Sequence, residues 1–195
     1  MVRADNIQQY TKCRRALAGG KHREVRKLRG VTTQTPERSI CHIKHVRDGA
    51  IAGVAGIVAW LLLTPLDKRL LHSRYDDVEL LGMPFGKGRL AYTLGIGAHT
   101  LNGALFGALY ACFVEGHLQG PGWLRGLLAA ESENLVLSPL TPLLDRVHPS
   151  IRQGRTGKTA TPAALVQGVI RHALFGVVLG SVYATLQHRS HSSVD

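Results

Sequence analysis

Seven polar side chains sit inside otherwise apolar stretches of this chain: His99 and Asn102, then Glu131, Glu133 and Asn134, then Arg171 and His172. Imidazole titrates near neutral pH, and a carboxylate removed from water can be brought to do the same. Two readings of the set follow. In the first it is structural: Arg171 neutralises one glutamate, and the remaining groups hydrogen-bond between helices. In the second it relays protons or ions, the default reading of ionisable groups at membrane depth. Metal ligation by His99, His172 and a glutamate is chemically allowed. However, Cys13, Cys41 and Cys112 have no CxxC or other metal spacing, and no metal or cofactor is expected. Asp76, Asp77 and Glu79 in YDDVE lack calcium-loop spacing and read as a solvated cluster. No Ser/His/Asp, HExxH, nucleotide or phosphate motif appears, so no enzymatic activity is expected.

Four segments carry these groups, at about 48–66, 90–114, 123–144 and 163–186. At about 1.5 Å per residue each is long enough to cross a hydrocarbon core of about 30 Å. In the first, Trp60 stands near the outgoing end, Pro65 follows, and Asp67, Lys68 and Arg69 mark the water boundary. The loop after it, to Arg89, is polar, and Pro84, Gly86 and Gly88 end any helix there. The third segment is the least apolar. It holds Arg125, Glu131, Ser132, Glu133 and Asn134 and two prolines, and alone it would not read as a span.

An internal repeat argues for it. A shift of 73 positions carries HTLNGALFGALYA at His99–Ala111 onto HALFGVVLGSVYA at His172–Ala184; a shift of 77 carries LTPL at 63–66 onto LTPL at 140–143. The expected fold is therefore all-α: an integral membrane four-helix bundle from two tandem, parallel helix-pair repeats. The repeats are residues 49–122 and 123–188, between a basic tail at 1–48 and a short solvated tail at 189–195. Small residues recur four apart at matching places: Gly49 and Gly53, Gly103 and Gly107, Gly126 and Ala130, Gly176 and Gly180. Such pairs let helix backbones approach closely in lipid, and a spare Gly-rich face would serve a homodimer. Helical geometry puts His99, Asn102, Gly103, Gly107 and Tyr110 on one face, and His172, Gly176, Gly180 and Tyr183 on its counterpart. Glu131, Asn134 and Ser138 share a face, with Glu133 pointing elsewhere. The two histidines are expected at one depth, with Glu131 or Glu133 as partner of Arg171 or of a histidine.

Residues 1–48 carry 12 Lys+Arg against 4 Asp+Glu, and they are too polar to offset the entropy of ordering. The tail is expected to be disordered. Either it is drawn to anionic lipid headgroups, or it is a start-site artefact with the natural start near Val31. No nucleic-acid partner is expected, since the rest of the chain is too apolar to form a basic groove. The expected location is the cell membrane, with the bilayer as partner. Both termini fall on one side, the cytoplasmic side if the whole tail is counted. The expected function is packing, assembly or support of a membrane. The alternative is a small transporter or channel for protons, a cation or a solute, using the His/Glu/Arg layer.

Overall fold

The computed structural model describes residues 36–86 and 88–192; most of the expected tail, 1–35, lies outside them. All regular structure among the described residues is helical. The long helices are α1 (Pro36–Leu70), α3 (Gly88–Leu109), α4 (Gly122–Leu137) and α7 (Pro162–Ser192). Three short ones lie between them: α2 (Asp77–Gly82), α5 (Thr141–Val147) and α6 (Pro149–Arg152). Two of the helices, over Ile43–Leu70 and Pro162–Arg189, are long and apolar enough to cross a membrane.

Several expected boundaries move. Residues 36–48, expected in the tail, are the first turns of α1. They are held there by His45, whose Nδ1 lies 2.7 Å from the Tyr183 hydroxyl, and by Asp48, which accepts from Gln187 Nε2 at 3.2 Å, while Lys44 and Arg47 face outward. Through Gln187 the same contact carries α7 past its expected end and into the His/Ser-rich tail. At its other end α1 runs through Pro65 to Leu70, where a water boundary was expected. The third segment, expected as one helix over 123–144, is broken at its prolines: α4 ends at Leu137, Ser138–Leu140 tighten into a 3₁₀ turn around Pro139, and α5 resumes at Thr141.

Glycines set the helix pairs. A Cβ on Gly53 would overlap the Gly103 carbonyl, and one on Gly107 the Gly49 carbonyl, so α1 and α3 meet backbone to backbone. Gly122 and Gly126 meet Gly180 and Gly176 in the same way, which seats α4 on α7; Ala130 lies against Gly176. Helices α1 and α7 then pack along each other through Ala52, Ile57, Trp60, Phe175 and Leu179. At the end of α3, Tyr110–Val114 widen into a π-type turn, the Glu115 N–H bonding the Tyr110 carbonyl at 2.9 Å. This turn touches α4, and it seats Tyr110 edge-on to Tyr183 at 5.7 Å between centroids. From there α3 and α4 diverge, and a cavity of about 480 Å³ lies between them.

Candidate functional site

The centre of the molecule is charged. Arg171, on α7, has no exposed surface. Its guanidinium forks onto Asp67 of α1, Nε to Oδ2 at 2.5 Å and Nη2 to Oδ1 at 2.9 Å, and its Nη1 donates to Asp77 Oδ1 at 3.1 Å. Gln167, one turn earlier on α7, donates to Asp67 Oδ1 at 3.0 Å. Trp60 Nε1 donates to Asp77 Oδ2 at 2.5 Å, and the Arg171 Cζ lies 5.9 Å from the centroid of the same indole. Planar, always-charged guanidinium suits a bidentate carboxylate, and each acid here has at least two donors.

Local sequence explains how each group arrives. Trp60, Thr64 and Asp67 lie at i, i+4 and i+7 on one face of α1; Thr64 is buried with them, its hydroxyl donating back to the Trp60 carbonyl at 3.0 Å. Asp77 is set by the start of α2. Asp76 caps that helix, accepting from the Val78 and Glu79 N–H groups at 3.0 and 3.1 Å, and pairs with Lys68. The backbone N–H of Asp76 donates to Thr156 Oγ1 at 2.7 Å, and the Gly157 N–H to the Arg74 carbonyl at 2.9 Å, so the two long connections lock together beneath α2. The expected solvated cluster YDDVE is thus corrected: Asp77 is buried and Asp76 is a cap.

Both histidines reach this centre. The Trp60 ring takes His99 at 5.0 Å and His172 at 4.8 Å, each edge to face. His172 Nδ1 lies 2.8 Å from the Gly168 carbonyl, which can only accept, so Nδ1 carries the proton. His99 is 6% exposed, and among the described residues neither of its ring nitrogens has a hydrogen-bond partner; Nε2 stands 3.6 Å from Asp77 Oδ2.

The glutamates do not pair with Arg171, one of the two kinds of partner expected for them. The guanidinium is taken by Asp67 and Asp77, which reach it from α1 and α2. Glu131 Oε2 instead accepts from Asn134 Nδ2 at 3.3 Å, one turn along α4. Glu133, expected to point away, lines the cavity with Asn134 and Ser138 on one wall, facing His99 and Asn102 on α3. Arg171, His172 and Trp60 form its floor, and Leu81, Phe106, Leu137 and Leu144 are among its apolar walls. Among the described residues no group of three or more His, Cys, Asp and Glu is placed to hold a metal ion.

Asp67, Asp77 and Trp60 are the site residues that sequence reasoning missed. The signal was the i, i+4, i+7 spacing of Trp60, Thr64 and Asp67, masked by a proline and by the run Asp67-Lys68-Arg69. Comparison with protein-family models, curated proteins and solved structures finds no match.

Proposed function

We propose that this chain is a multi-pass integral membrane protein without enzymatic activity, a four-helix bundle whose ion-paired centre holds its helices together for a packing or assembly role. The observation that carries this reading is the inversion of polarity. Arg171, Asp67, Gln167 and His99 are buried, while Leu62, Leu101, Phe113, Leu135, Val136 and Val169 are half or more exposed. Soluble monomers rarely expose contiguous apolar surface on this scale. In hydrocarbon the arrangement is the favourable one, charges paired inside and aliphatic side chains outward. On this reading α3, and α4 with the first turn of α5 as far as Leu144, span beside α1 and α7, although their inward polar groups lower their mean hydropathy. The packing glycines are occupied within the chain, so a homodimer would use other surfaces.

The tandem repeat supports the same reading. Glycines pack both helix pairs, one turn out of step: Gly107 meets the Gly49 carbonyl, whereas Gly180 meets the carbonyl of Gly122 rather than that of Gly126. Equivalent residues meet across the centre, Tyr110 with Tyr183, and His99 and His172 on one indole. The shift of 77 carries Trp60 and Asp67 onto Leu137 and Leu144, and the shift of 73 carries Ala98 onto Arg171. One side of the pseudo-axis is therefore closed by Trp60, Asp67 and Arg171. The other side has leucines and alanine at those places and is the open cavity. Topology is tested with single cysteines in a chain whose native cysteines are serine. Gln119→Cys should label from one side of the membrane and Gln153→Cys from the other, with the protein retained in carbonate-washed membranes. Labelling of both from one side, or release into the wash, refutes the reading.

A second reading, translocation of a proton, cation or solute, is favoured by the cavity and by the charge count. Arg171 faces two aspartates, and His99 Nε2, on the cavity wall, stands 3.6 Å from one of them, Asp77 Oδ2.

A further inference from the structure

We propose that the cavity between α3 and α4–α5 binds a lipophilic monocation, an amine or onium group on an apolar body, with Glu133 as its counter-ion. The proposal rests on the membrane reading and names the ligand class of the site just described.

Size and walls come first. A volume of about 480 Å³ lies within the range of pockets that hold small organic ligands, and its walls combine Leu, Phe and Ile side chains with convergent polar groups. The mouth is apolar as well. Leu137, Leu140 and Leu143 line the cavity and are also about half exposed, so the cavity opens sideways onto the apolar belt of the bundle. A ligand entering there comes from the lipid phase and must carry an apolar body.

Charge selects its sign. The one guanidinium or ammonium among the described residues lining the cavity is Arg171, and its donors are held by Asp67 and Asp77. An anion would find no free cation. Among the described residues Glu133 has no ion-pair partner, and together with Asp67 and Asp77 it makes three carboxylates against one guanidinium. Low-dielectric walls focus such a field, so a cation is drawn in. Phe106 and Phe175, in edge contact at 5.6 Å, and Trp60 add ring surface against which a cation can rest. His99, buried and unpartnered on the opposite wall, supplies a hydrogen-bonding nitrogen for an ammonium N–H. Protons compete for Glu133, so the bound cation should be displaced on acidification. The other ionisable groups facing the cavity are His99 from α3, Asp77 from α2, Tyr75 from the loop before it, and Arg171 and His172 from α7.

The test uses the full chain in detergent and a pair of probes of one shape and opposite charge, tetraphenylphosphonium and tetraphenylborate. Trp123→Phe leaves Trp60, on the cavity floor, as the single indole, so fluorescence quenching and calorimetry read the same event. The phosphonium should bind saturably and at least about tenfold more tightly than the borate, a ratio of about 1.4 kcal/mol. Its affinity should fall as the pH is lowered. Glu133→Gln should weaken the preference and remove most of the pH dependence, and Glu131→Gln, off the cavity wall, should do neither. Ser138→Phe, which fills the cavity without touching a carboxylate, should weaken binding on its own. Equal binding of the two probes, or phosphonium binding untouched by both Glu133→Gln and Ser138→Phe, overturns the proposal. A membrane-integrated protein that fails these tests refutes the cation site alone, whereas a protein soluble without detergent refutes the membrane reading beneath it.

Discussion

Removal of the Arg171 guanidinium should be among the most damaging single changes available in this protein, and most of the damage should be reversible by removing its partners too. Arg171→Met keeps an unbranched apolar chain of similar reach and deletes three hydrogen bonds, two to Asp67 and one to Asp77. At about 0.6 kcal/mol for a typical bond between membrane helices, the bonds alone are worth roughly 2 kcal/mol. The larger effect is electrostatic. Asp67 and Asp77 are 2% and 5% exposed, and without the guanidinium they are two like charges left buried side by side. Breaking a buried pair in this way typically costs about 3–5 kcal/mol. Neutralising both acids, in Arg171→Met with Asp67→Asn and Asp77→Asn, removes the stranded charge. It leaves Trp60 and Gln167 an amide oxygen to donate to, and the remaining loss should fall to about 2 kcal/mol, the bonds alone. The assay is reversible unfolding of the detergent-solubilised protein, followed by circular dichroism and repeated for both variants. Refutation takes either of two forms: the single variant costs under about 1 kcal/mol, or the triple variant is no more stable than the single one.

Two further outcomes follow. Gly53→Ala and Gly126→Ala each put a Cβ into the facing backbone, at the Gly103 and Gly176 carbonyls, and should destabilise by about 1–3 kcal/mol, whereas Gly97→Ala, which meets nothing within 4 Å, should be neutral or gain up to about 1 kcal/mol in the same unfolding assay. Burial would raise the Asp145 carboxyl, but the Thr159 N–H at 2.6 Å, the Thr159 hydroxyl at 2.7 Å and the Ala160 N–H at 3.1 Å outweigh it and hold it below its usual range. Its contribution is thus present above the ordinary carboxylate value of about 4 and lost as pH falls through the depressed one. Hydrogen exchange of the Thr159 and Ala160 amides should therefore stay protected to below that value and then open, and Asp145→Ala should expose them at every pH.

Helicity, the four long segments and the small-residue stripes were legible in the chain itself, because they depend on local quantities. Apolar length, proline position and residues four apart on one face are the same whatever the helix packs against. The glycines met glycines, while the third segment, read as one helix, is interrupted around Pro139. What only the tertiary structure decided was the pairing of charges. Asp67 and Asp77 lie about a hundred positions from Arg171 in sequence, and each has a local environment, Lys68-Arg69 for one and Asp76 for the other, that reads as solvated. Two non-local events bury them: α1 continues past Pro65, and the loop locked by Thr156 and Gly157 folds α2 back over the bundle. Glu131 and Glu133 were the nearer partners by depth, but depth does not say which face a helix turns to its neighbour. That rotation is set by the glycine contacts of α4 with α7, which leave Glu133 on the wall of the cavity and give Arg171 to the aspartates.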